Sequence, residues 1–103
     1  MYKICVYVPE KHVEKVKQAL FDAGAGRIGN YDSCCWQTEG TGQFRPLQNS
    51  NPAIGSLNEV EHVREIKIEL VCEDALVKQV IQAMKEIHPY EEPAFDVWKL
   101  AEF

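Results

Sequence analysis

"VEHVREIKIELVC", residues 60–72, decides the fold. Ile66, Ile68 and Leu70 alternate with Glu65, Lys67 and Glu69. A period of two sends successive side chains to opposite faces of a strand, so one face is apolar and buried and the other is polar. On the C-terminal side, Asp74 is a candidate helix cap. Val77, Val80, Ile81, Met84 and Ile87 then recur at helical spacing as one apolar stripe. Pro89 disfavours helical geometry at His88 and ends that helix. Residues 94–100 predict a last strand, with Pro93 at its entry. Its parity stays open, because Phe95 and Val97 alternate against Trp98 and Leu100.

The N-terminal half repeats the order. Residues 2–8, rich in β-branched and aromatic types, predict a strand. Pro9 suits the first turn of a helix, where its missing N–H costs nothing. Val13, Val16, Leu20 and Ala23 form the next stripe, and Gly24 ends it in a left-handed conformation. "GAGRIGNY" (24–31) is a turn. Its G-x-G follows a helix, whereas a dinucleotide fingerprint opens a helix after a strand. Residues 31–38 predict the second strand. "GTGQFRP" (40–46) leaves it, and 47–59 has the composition of a loop, with Asn49, Ser50, Asn51, Pro52 and Gly55.

The order β-α-β-β-α-β is the ferredoxin-like pattern of the α+β class. The expectation is one domain over residues 1–103: a four-stranded antiparallel sheet, order 4-1-3-2, with two helices on one face. Lys3, Cys5 and Tyr7 should then face away from the helices, beside Glu65, Lys67, Glu69 and Val71. Such a face can meet water or pair with itself across an oligomer. Chain direction gathers His12, His62, His88 and the long loop at one end, with "GAGRIGNY" and Cys72 at the other.

Composition narrows the function. Of 103 residues, 46% are hydrophobic and 26% charged, with a net charge of −5. The scattered basic residues argue against nucleic acid, since phosphate binding needs clustered Lys and Arg. No apolar run approaches the ~20 residues of a membrane span. The N-terminus lacks the pattern of a signal peptide, so a cytoplasmic location is expected. Cys5, Cys34, Cys35 and Cys72 contain no C-x-x-C pair and are expected to be reduced, structural thiols.

"HPYEEP" (88–93) carries the residue types of catalysis and also those of a hinge. In the structural reading, Pro89 and Pro93 fix the helix-to-strand angle. A protonated His88 favours the helix C-terminus, Tyr90 buries its ring with a wet hydroxyl, and Glu91 and Glu92 solvate the turn. A second reading makes His88, His12, His62, Glu91 and Glu92 ligands of a divalent transition metal, zinc or copper rather than magnesium. A third, enzymatic reading rests on Glu91 and Glu92, which diverge in an extended segment. Phe44 and Arg45, with Gly40 and Gly42 in the same stretch, are candidates for a ligand or partner loop, because aromatic and Arg side chains are enriched at hot spots. The alternative is that Phe44 packs back on its own domain.

Four segments together, "GAGRIGNYDSC" (24–34), "GTGQFRP" (40–46), "NPAIG" (51–55) and "HPYEEPAFDV" (88–97), resemble the insert domain of the NGG-interacting-factor-like (YqfO-type) family. That domain is related in fold to CutA and to the PII signalling proteins. The resemblance implies a ferredoxin-like domain that assembles as a trimer through its sheets. It also implies that residues 41–59 take the place of the mobile effector loop of PII proteins. Full-length members hold a two-metal centre in flanking halves that are not in this sequence, so no metal ligand of theirs carries over. The leading expectation is a stand-alone, non-enzymatic binding or regulatory domain, a homotrimer, with a small molecule or a protein as further partner.

Overall fold

A computed structural model describes residues 1–103. The alternating segment forms β3 (Glu61–Cys72), with Ile66, Ile68 and Leu70 buried and the residues between them half-exposed. It lies inside an antiparallel sheet with β1 (Tyr2–Pro9), β2 (Trp36–Phe44) and β4 (Phe95–Lys99), in the order β2-β3-β1-β4. That is the expected 4-1-3-2 order seen from the other edge. Helices α1 (Val13–Asp22) and α2 (Val77–Ile87) pack on one face. Val16, Leu20, Val80 and Met84 meet Ile4, Val6, Ile66 and Ile68 in a single core with no solvent access beyond 4% at any of them.

The strand registers settle the two faces. Cys5 pairs with Glu69 and Asp96, and Lys3 with Val71 and Trp98. Lys3, Cys5, Tyr7, Glu65, Lys67, Glu69 and Val71 therefore do share the face without helices. Trp98 and Asp96 join them, while Phe95 and Val97 pack against the core. Cys5 is only 1% exposed even on this face, where its thiol lies 3.8 Å from Glu69 Oε1.

Several local expectations need correction. Pro9 ends β1 instead of opening α1, and a 3-10 turn (Glu10–His12) intervenes. Asp74 caps nothing: it lies in a 3-10 turn (Asp74–Leu76) and binds the N-terminal ammonium of Met1. Ile87 leaves the apolar stripe and is 39% exposed, because α2 ends there beyond the reach of the core. Gly24 does take a positive φ, 111°, just beyond α1.

The largest correction concerns β2. Residues 31–35 are outside it, and Gly40, Gly42 and Phe44 are strand residues paired with Glu65, Val63 and Glu61. Local composition pointed to a loop, but a ready-made partner edge on β3 outweighs weak strand propensity. Because β1 stops at Pro9, opposite Glu65, the ends of β2 and β3 run on beyond the four-stranded sheet as a two-stranded arm. Isolated two-stranded ribbons are marginal. This one is braced by Arg64, whose guanidinium contacts Glu10 at 2.7 Å and Glu39 at 2.8 Å.

Candidate functional site

The arm and the segment 88–94 close a cleft at the end of the sheet. His88 begins it. Pro89 holds His88 extended (ψ 136°), so the chain leaves α2 and turns across the end of β1. The imidazole is 6% exposed. Its Nε2 lies 2.8 Å from the Tyr7 carbonyl oxygen, and the Tyr90 N–H donates to Nδ1 at 3.1 Å. A carbonyl only accepts and an N–H only donates, so the ring is neutral and protonated at Nε2. Burial holds its pKa below the ordinary value, against the raising effect of the Tyr7 carbonyl and Glu65.

That turn delivers Tyr90 to the open face. Its hydroxyl donates to Glu65 Oε2 at 2.9 Å. Burial and then that carboxylate hold the phenol well above its usual pKa. The Tyr90 ring meets Phe44 edge-on, with centroids 5.6 Å apart and planes at 64°. Gly42 makes this possible. A Cβ there would sit 2.2 Å from Glu65 Oε1, so only glycine leaves the carboxylate room to lie across β2.

The β2–β3 connection covers the other side. The Asn58 N–H donates to the Pro46 carbonyl, and Asn49 and Asn58 take positive φ, which Asn tolerates. The Asn51 N–H donates to Glu91 Oε2 at 3.0 Å and ties the connection to the segment 88–94. The cleft holds about 390 Å³. Tyr7, Phe44 and Tyr90 give it aromatic walls, Leu47, Pro52 and Ile54 aliphatic ones, and Glu65, Glu91, Glu92 and Arg45 its charges. A shallower hollow continues along Gly40–Gln43 and shares Glu65 and Tyr7.

The three histidines do lie toward one end. His12 follows β1 and is near enough to oppose protonation of His88, while His62 is exposed on the arm, paired with Gln43. No three His, Cys, Asp or Glu side chains are placed to hold a metal ion. His88 has both ring nitrogens engaged, Glu91 accepts from Asn51, and Glu92 lines the cleft. His88 is also no partner of the helix dipole in protonated form, and the Tyr90 hydroxyl is bound by protein and not by water alone. Phe44 packs on its own chain. All four cysteines are unpaired, and burial raises the thiol pKa of Cys5 and Cys72, which disfavours the reactive thiolate.

Sequence reasoning missed Tyr7 and Glu65 as cleft residues. The available signal was the pair Gly40 and Gly42, of which Gly40 pairs with Glu65 and Gly42 lies under its carboxylate, a sign of close approach at that point.

Fold and site define an α+β, ferredoxin-like protein with a bare sheet face and a ligand-sized cleft at one end. No family model matches the chain. Over 101 residues it is 46% identical to the GTP cyclohydrolase 1 type 2 homolog of Halalkalibacterium halodurans, which takes in 98% of this chain and 27% of that protein. The chain thus spans 27% of the length of that curated relative. A Bacillus cereus protein related to NIF3 superposes with a TM-score of 0.84 at 44% identity, over 98% of this chain and 26% of that one. CutA1 from Pyrococcus horikoshii gives a TM-score of 0.71 at 18% identity, over 100% of this chain and 86% of that one, a likeness of fold. No helix is long and apolar enough to cross a membrane.

Proposed function

We propose that residues 1–103 are a single non-enzymatic binding or regulatory domain of the NGG-interacting-factor-like kind, which assembles as a homotrimer through its sheet. The observation that carries this is β2. It is a nine-residue strand without one buried residue. Its outer edge is unpaired, an arrangement that sheets normally cover or blunt. Trp36 on β2 and Trp98 on β4 stand 68% and 54% exposed on the helix-free face. The whole chain exposes 6970 Å². A compact monomer of this mass exposes about 5,900 Å². The excess is comparable to the roughly 800 Å² that one partner contributes to a standard interface.

The kinship supports the family and the CutA1 superposition supports the fold. The activity in the relatives' name is not carried over, because the chain spans so little of their length. The state of the nucleophile and base candidates supports the non-enzymatic reading: His88 is fully hydrogen-bonded, and burial disfavours the thiolates of Cys5 and Cys72.

Size-exclusion chromatography with light scattering tests the assembly. The expected mass is three times the 11.8 kDa of one chain. Trp36→Glu, which puts a charge on the uncovered face, is expected to return the monomer. A monomeric mass for the unaltered protein at micromolar concentration would overturn the proposal.

A further inference from the structure

We infer that the cleft between the β2–β3 connection and residues 88–94 binds a small organic cation with an aromatic or apolar body. This rests on reading the chain as a binding domain and names the ligand class.

Its size comes first. About 390 Å³ falls within the roughly 300–1,000 Å³ of small-molecule sites. The walls come second. Tyr7, Phe44 and Tyr90 are half-buried and line the same space. Phe44 and Tyr90 meet edge-on at 64°, so neither ring lies flat on the other. Ring faces attract cations through their quadrupole, and more strongly where water is partly excluded. Charge comes third. Glu65, Glu91 and Glu92 face a single cation, Arg45, in the lining, within a chain of net charge −5. An anionic ligand would meet repulsion there, whereas a cation finds complementary charge and apolar contact together.

Glu65 is the anchor. It lies deeper than the exposed Glu91 and Glu92, at the base of the arm beside Tyr7. The Tyr90 hydroxyl orients it through one oxygen, and Gly42 clears its path. Glu91 instead spends one oxygen on the Asn51 N–H and holds the cleft wall.

The probe is benzyltrimethylammonium, with benzyl alcohol and benzoate as neutral and anionic comparators, titrated into isotope-labelled protein and followed by amide NMR shifts. Saturable shifts are expected around Tyr7, Phe44, Glu65 and Tyr90, with the cation binding at least about tenfold more tightly than benzyl alcohol. Glu65→Gln should lower that affinity by about tenfold. Where Glu65→Gln fails to fold, Phe44→Leu serves, and it should weaken the cation more than the alcohol.

Equal binding of the three probes, no saturable shift with the cation, or an affinity indifferent to Glu65→Gln in a folded variant would overturn the inference. Light scattering on the same samples separates the two claims. A trimer that ignores the cation sinks this inference alone, and a monomer that binds it sinks the assembly alone.

Discussion

His88 is tied at both ring nitrogens, and that makes it sensitive to acid. Protonation would place a second N–H at Nδ1, facing the Tyr90 N–H that now donates to it. The folded-state pKa lies below the ordinary 6.5, so between the two values the unfolded chain binds more protons. Stability is then full above about pH 6.5 and falls as pH drops through that value toward the folded pKa. Urea midpoints measured from pH 7.5 to 5 should show this slope, and His88→Gln should flatten it. Tyr90 works in the opposite direction. Its phenol is held above 10, so its contribution is present below pH 10 and lost as pH rises toward the folded pKa. Tyr90→Phe should cost about 1.5–3 kcal/mol, the range for a hydrogen bond to a charged group, read from chemical denaturation. Gly42→Ala should leave net stability nearly unchanged, since a stiffer unfolded chain offsets the displaced Glu65. It should nonetheless lower the Tyr90 pKa in an ultraviolet titration, because the carboxylate can no longer lie where the phenol meets it.

The elements divide into those that make the core and those that make the site. In β3, Ile68 has no solvent access and belongs to the same core cluster as Val16 and Leu20 of α1 and Val80 and Met84 of α2. Ile68→Ala should cost about 2–5 kcal/mol in denaturant unfolding. Thr38→Ala in exposed β2 should stay within about 0.5 kcal/mol of the parent. The β2–β3 connection contributes Pro46 as its one buried residue, and residues 47–59 contain none. Replacing 48–57 with two glycines should therefore keep the fold, because loop length enters stability only logarithmically. Thermal unfolding would follow the stability and amide NMR the loss of the cleft. A collapse of the fold on this deletion would mean that the arm depends on its covering.

At the scale of the molecule, the shape follows from one mismatch of strand length. The chain measures 46 × 24 × 24 Å, and its radius of gyration of 14.5 Å exceeds the roughly 13 Å of a compact 100-residue domain. The excess comes from β2 and β3 running past the end of β1. The same overhang creates the wall of the cleft, whereas Trp36 lies where β2 pairs with a part of β3 that β1 also pairs, so the proposed assembly face and the proposed binding site are separate features. If the sheet face is the contact, adding salt should change the assembly only modestly. Apolar surface such as Trp36 and Trp98 resists screening, whereas exposed ion pairs weaken above about 0.1 M salt.

The sequence by itself determined the order of elements, the face that each strand buries in β1 and β3, the end of α2 at Pro89 and the pole toward which the histidines gather. Period-two alternation, helical stripes and proline stops are local signals, legible without partners. Tertiary structure alone decided that "GTGQF" is strand, that β4 buries Phe95 and Val97, and that His88 is a hydrogen-bonded pillar. The same holds for the meeting of Glu65, Tyr90 and Phe44 from three separate segments. These outcomes depend on which groups a neighbouring strand offers, and a glycine, an imidazole or a carboxylate has no fixed role until that neighbour is in place.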